Sequence, residues 1–316
     1  MRRAATRRRI TKLVVAATLV LHVATAAVPD ARGQVPAFRV GVDVIALNVT
    51  VTDASRRFVT DLTERDFRVL EDGRLQEMVL FQRVAPPLAV ALLIDSSASM
   101  EGSLGIAQEA AIGFSRQLES TDMVSVVDFD TRVRVAQDFT KDRVTTEAAI
   151  HSTAPGGSTA LYNAVYIALR ELTRVAPPEE GGQVRRRAIV LLSDGEDTSS
   201  LVTFEEVLDL ASRSNTAIYA IGLTSNAPGT NRGAQDAEFV LRRLTQQTGG
   251  RAFFLREVRE LSGVYAEIKA ELASQYLLAY QTSNPNRDGR FRNVAVRLER
   301  PGLIARTRPG YYAPAR

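Results

Sequence analysis

The chain has 316 residues, with 40 Lys and Arg against 36 Asp and Glu, a formal charge of +4, two His and no Cys. Its length fits one large domain or two. The lack of cysteine excludes disulfides, thiolate metal sites and cysteine nucleophiles. An apolar content of 45% with 20 Gly and 12 Pro excludes disordered and collagen-like chains.

Arg2, Arg3, Arg7, Arg8, Arg9 and Lys12 precede a nearly unbroken apolar run, Leu13 to Ala27, in which Ala24-Thr25-Ala26 fits a cleavage site. Residues 1–27 therefore read as a secretory signal peptide. Thr6 to Lys12 also resembles a twin-arginine export signal, with Thr11 where an apolar residue is usual. The run is shorter than the roughly 20 residues of a spanning helix. An uncleaved anchor is the second reading, and the only way a membrane would be involved. The leader holds six positive charges and no negative one, so the formal +4 becomes −2 without it. No concentrated basic patch is left, and a nucleic-acid partner is not expected. The largest remaining basic cluster, Arg185-Arg186-Arg187, reads as a solvated loop before a strand. The protein is expected to be exported, to the periplasm or the extracellular space.

Residues 28–37 form a spacer with two prolines and a glycine. In the N-terminal β region, 38–84, Ile45, Leu47, Val49 and Val51 alternate with more polar neighbours, as in a half-buried strand. Phe67, Val69 and Glu71 predict a second strand, closed by a tight turn at Asp72-Gly73. Met78, Leu80 and Gln82 alternate with Val79 and Phe81 in a third.

The pattern changes after Pro86-Pro87. Leu88–Ile94, Met123–Phe129, Ala188–Leu192, Ala217–Leu223 and Ala252–Leu255 are short apolar runs, and Val133–Val135 reads as a further strand. Helical spacing predicts helices over 101–118, 159–172, 204–211, 239–247 and 258–272. The fourth is closed by Gly249-Gly250. Apolar strands alternating with amphipathic helices predict, over 88–274, a doubly wound α/β domain: a mostly parallel sheet with helices on both faces. The tail, 275–316, returns to β structure at 276–281, 291–298 and 303–308. Neither flank alone can close a core, so the C-terminal β region is expected to pack with the N-terminal one as a small accessory domain.

Ligands of such folds bind beyond the carboxyl ends of the strands. Asp95, Ser97 and Ser99 follow the first α/β strand at i, i+2 and i+4. Pro155-Gly156-Gly157-Ser158-Thr159 is a flexible loop entering a helix. Asp194 ends another central strand. Three loops at one sheet edge can converge, offering oxygen atoms without sulfur or imidazole. That donor set suits a hard divalent cation, Mg²⁺ first, then Mn²⁺ or Ca²⁺. Glu196 and Asp197 are read as outer residues.

The order Asp-x-Ser-x-Ser, distant Thr, distant Asp resembles the metal-ion-dependent adhesion site of the von Willebrand factor A (VWA) domain family. The matching positions are Asp95, Ser97, Ser99, Thr159 and Asp194, with Ser158 able to replace Thr159. The resemblance implies that the hydroxyls ligate the ion and that the aspartates hold it directly or through water. It also implies that an acidic residue, Asp or Glu, of a protein partner completes the coordination. The flanks, with Leu62-Thr63-Glu64-Arg65-Asp66-Phe67 and Arg306-Thr307-Arg308-Pro309-Gly310-Tyr311-Tyr312, resemble a subgroup of exported VWA proteins common in Acidobacteria.

Nucleotide binding is not expected, because neither Gly-x-Gly-x-x-Gly nor a P-loop occurs. Serine hydrolysis needs a base beside the serine. His22 lies in the leader, His151 reads as a surface-loop residue, and no Gly-x-Ser-x-Gly elbow is present. The expected function is metal-ion-dependent protein binding or adhesion without catalysis. The alternatives are a structural subunit of an envelope complex and, less favoured, a metal-dependent hydrolase.

Overall fold

A computed structural model describes residues 43–83, 86–175, 185–194, 196–223 and 231–315, with side chains from 235 onward in the last stretch. The proposed leader and spacer lie outside the described residues. The first strands are β1 (Val44–Thr52), β2 (Phe67–Glu71), β3 (Arg74–Leu75) and β4 (Glu77–Gln82). The middle of the chain runs β5 (Leu88–Asp95), α1 (Leu104–Gln117), β6 (Met123–Phe129), β7 (Val133–Thr140), α2 (Arg143–His151), α3 (Leu161–Val175), β8 (Arg186–Ser193), α4 (Phe204–Ser214), β9 (Thr216–Leu223), α5 (Asn231–Thr248), β10 (Ala252–Leu255) and α6 (Leu261–Ser274). Then follow β11 (Tyr276–Gln281), β12 (Phe291–Leu298), β13 (Ile304–Arg306) and β14 (Gly310–Tyr312).

Every residue of β5 is buried, which is possible only if both faces of its sheet are covered. Leu88, Val90, Leu92 and Ile94 enter a core shared with α1, α2 and α6. Ala89, Ala91 and Leu93 enter a second core under α3, α4 and α5. The six-stranded sheet has the order β10-β9-β8-β5-β6-β7. All its pairings are parallel except β6 with β7. The doubly wound α/β reading is therefore correct. Chain order reverses between β5 and β8, and this switch point is where such a fold opens a crevice.

Local chemistry sets the helix ends. Thr203 and Glu206 form a reciprocal capping box at the start of α4, with Thr203 N–H donating to Glu206 Oε2 at 2.8 Å. Gly249, at φ +78°, ends α5. A Cβ there would sit 2.6 Å from Arg308 N, so only glycine fits.

The flanks form two four-stranded antiparallel sheets, β13-β1-β11-β4 and β14-β12-β2-β3. Strand β1 lies between two strands from the far end of the chain, β11 and β13. Ile45, Leu47, Val49, Phe67, Val69, Tyr276, Leu278 and Tyr280 belong to a third core. Its buried Glu71 accepts hydrogen bonds from Tyr280 OH (2.8 Å), Tyr311 OH (3.0 Å) and Thr282 Oγ1 (2.7 Å). The turn at Asp72-Gly73 has φ of 46° and 80°, as the sequence predicts for a tight hairpin.

Four expectations need correction. Arg186 and Arg187 are in β8, not in a loop before it. Arg186 donates to Pro86 O, Leu272 O and Gln275 Oε1, and burial lowers its pKa. His151 is the last residue of α2, a helix absent from the sequence reading. Strand β14 is also additional, and β7 runs on to Thr140.

Candidate metal centre

Parallel pairing sets Ile94 beside Leu192, so the carboxyl ends of β5 and β8 lie side by side. Asp95 and Ser193 follow directly. Ser193 Oγ donates to Asp95 Oδ2 at 2.5 Å. The other oxygen, Oδ1, accepts the Ser97 N–H at 2.9 Å, which folds the chain back over the carboxylate. Ser97 Oγ and Ser99 Oγ are 3.0 Å apart. Asp95 is 0% exposed and Ser97 1%, whereas Ser99 is open to solvent.

The second loop is tied to the first through its backbone. Gly156 N–H donates to Ser96 O at 2.8 Å, and Ala98 N–H donates to Gly157 O at 3.1 Å. Gly157 adopts φ +70°, and a Cβ on it would lie 2.5 Å from Thr131 Oγ1. Another residue would be strained there and would push this crossing apart. Ser158 is exposed, and its N–H donates to Thr131 Oγ1 at 2.8 Å. Thr159 is 5% exposed. Its N–H donates to Thr198 Oγ1 at 2.9 Å, and its carbonyl accepts the N–H groups of Thr198 and Ser199 at 2.9 and 3.1 Å.

Asp194 is half-buried at the end of β8. Burial drives the Asp95 pKa up to about 6, and the charge of Asp194 pushes the same way. Hydrogen bonds from Ser193 and Ser97 oppose them. A desolvated carboxylate beside a second negative charge is what a bound cation relieves. The local chemistry thus fits a hard cation held by oxygen. Among the described residues no group of three or more His, Asp or Glu could hold a metal. A cation here would depend on two carboxylates and neutral hydroxyls.

The neighbouring acids have other partners. Asp128 Oδ1 accepts from Ser96 Oγ at 2.5 Å, and Oδ2 pairs with Arg134 at 2.7 Å. Asp197 Oδ1 accepts from Ser200 Oγ (2.6 Å) and from Tyr162 N–H (3.1 Å) at the start of α3. Glu196 is exposed. Sequence reasoning placed Ser193 in the third loop, in Ser193-Asp194-Gly195, but gave it no role of its own. It missed Thr198, for which the sequence offers no signal.

Residues 90–196 match the family described as von Willebrand factor type A domain, a span running from β5 to just past β8. Over that span the chain is similar to this family. A von Willebrand factor type A structure from Catenulispora acidiphila is 13% identical, with a TM-score of 0.52 over 88% of this chain and 75% of that one. An aerotolerance-related membrane protein from Bacteroides fragilis, with multiple mutations to serines, is 19% identical, with a TM-score of 0.46 over 58% of this chain and 98% of that one. Proximal thread matrix protein 1 from the mussel byssus, whose MIDAS motif holds zinc, is 14% identical, with a TM-score of 0.49 over 60% of this chain and 49% of that one. For the Catenulispora structure the likeness is one of fold.

Proposed function

We propose that this protein is a non-catalytic protein-interaction module whose contact runs through a divalent cation, Mg²⁺ first, held by Asp95, Ser97, Ser99, Thr159 and Asp194. The observation that carries this reading is Asp95. It is fully buried at the switch point, raised to about 6 by burial and by Asp194, and flanked by Ser97. The cation would supply an open coordination position. Neutral hydroxyl ligands leave it under-neutralised, so a partner's Asp or Glu is the natural last ligand. In this chain Ser193 and the Ser97 amide orient Asp95, while Thr198 holds the backbone of Thr159.

A second reading is a structural subunit of an envelope assembly with the site permanently filled. It is favoured by the backbone hydrogen bonds that already lace the three loops, since they leave little to rearrange on binding. Hydrolysis has the least support, because among the described residues the one histidine, His151, is exposed at the end of α2. Among the described residues no helix is long and apolar enough to cross a membrane. Export through the leader, to the periplasm or outside the cell, is part of the proposal. So is membership of the Acidobacterial subgroup, which rests on the flank motifs. We also read 38–84 and 275–316 as one accessory β domain around a VWA domain at 88–274, supported by their common core.

Affinity capture from envelope extract separates these readings. A cation-mediated binder recovers its partner in Mg²⁺, and loses it in EDTA and with Asp95→Ala or Asp194→Ala. A partner retained in EDTA and by both variants overturns that mechanism and favours the permanent subunit. Mg²⁺-dependent turnover on a hydrolase panel, abolished by Asp194→Ala, overturns the non-catalytic reading.

A further inference from the structure

The flanking sheets meet the end of α5 at a small chamber, away from the candidate metal centre. Asn48 of β1, Gly249 after α5, and Thr307 and Arg308 after β13 line it. The bare Cα of Gly249 lets the backbone at 307–308 come close, since a Cβ would stand 2.8 Å from Thr307 C. Three side-chain atoms of the lining are buried without a hydrogen-bond partner: Asn48 Oδ1, Thr307 Oγ1 and Arg308 Nε. Few buried polar atoms in a folded protein stay unpaired, because each loses its hydration without a replacement. Elsewhere on the Arg308 fork, Nη2 donates to Ala46 O at 3.0 Å.

The space and the chemistry select the occupant. About 10 Å³ is open to the centre of a water-sized sphere. That is on the order of what one water requires. The three unpaired atoms are one acceptor, one donor and one hydroxyl that does either. We propose that the chamber is a binding site for a single structural water. It accepts from Arg308 Nε, donates one proton to Asn48 Oδ1, and shares its third hydrogen bond with Thr307 Oγ1. The water cross-braces β1 to the segment between β13 and β14 where that segment packs on Gly249. Its bonds replace direct ones that the three side chains do not make. A monovalent anion would meet the Arg308 guanidinium favourably, but it would face the carbonyl oxygen of Asn48.

A crystal structure of the full chain, at a resolution that orders solvent, tests this directly. The expected result is one density peak within hydrogen-bond distance of all three atoms, with no anomalous signal there after a bromide soak. An empty chamber, direct pairing of the three side chains, or a bromide peak overturns it. Solution measurements add a second arm through Asn48→Leu, Thr307→Val and the double variant. Oxygen-17 relaxation dispersion should count one long-lived water fewer in the double variant than in the wild type. The fall in Tm of the double variant should be smaller than the sum of the single falls, because the second substitution acts after the water has left. An unchanged water count in a folded double variant, or strictly additive falls in Tm, overturns the assignment. If the double variant does not fold, the wild-type crystal still decides.

Discussion

The helix-covered sheet and the flanking sheets bury polar groups in opposite ways. In the flanks, Glu71 sits deep between sheets and receives three hydroxyl donors. In the α/β region, apolar residues fill the strands, and the buried polar groups of β5 and β8 collect at their carboxyl ends: Asp95, Ser96, Ser97 and Ser193. There Asp95 has two donors but also an acidic neighbour in Asp194, and it is pushed up to about 6. Buried charge in the flanks serves assembly. At the switch point Asp95 keeps an acidic neighbour in place of a balancing cation side chain.

The comparison breaks first where the two regions join. Glu271 of α6 is fully buried, pairs with Arg306 of β13, and accepts from Tyr219 OH at 2.7 Å. Arg306→Met leaves that carboxylate without its cation and is expected to cost about 3 kcal/mol or more, measured as a fall in the denaturant midpoint. A loss within error would mean that the pair does not hold the regions together. Next in size is the effect of Mg²⁺. Saturating ion should stabilise the wild type by about 2–3 kcal/mol at a hundredfold excess over Kd. Asp194→Asn should remove this thermal shift and, in EDTA, should melt no lower than the wild type, since it relieves Asp95. A Mg²⁺ shift that persists in the variant contradicts the ligand set.

The third effect is of pH. Asp95 binds its proton more tightly folded than unfolded, so its contribution is full below about pH 4 and is lost as pH rises through about 6. In EDTA, wild-type stability should therefore fall across that window relative to Asp95→Asn, by up to roughly 1.4 kcal/mol per pH unit. Equal slopes for the two proteins would refute the electrostatic account. The smallest effect is expected at a solvated ion pair of the flanks. Arg68 and Glu299 meet at 2.7 Å with both side chains more than half exposed. Arg68→Ala should change stability by no more than about 0.5 kcal/mol in urea titration.

Much of the α/β architecture was legible because its strands are apolar throughout, a pattern that only a doubly covered sheet accepts. The loops were legible too, since Asp95, Thr159 and Asp194 follow or precede such elements at recognisable places. The elements missed are those whose pattern is short or mixed. Helix α2 buries only Thr146, Ala149 and Ile150 over nine residues. Strand β14 has three residues, too few to show alternation. Arg186 looked solvated because its partners, the carbonyls of Pro86 and Leu272, are close only in the fold. The same holds for Thr198, which reaches Thr159 across 39 positions.

The place of β1 has a consequence for how the molecule is made. Val44–Thr52 emerges early in synthesis, yet both strands that border it come from beyond residue 275. A polypeptide interrupted before Tyr276 holds all six strands of the central sheet but leaves β1 with two bare edges. Exposed edges of that kind invite pairing with other chains. The C-terminal strands thus act as a seal on finished molecules, and truncated products should be marked by aggregation even where their central sheet has formed.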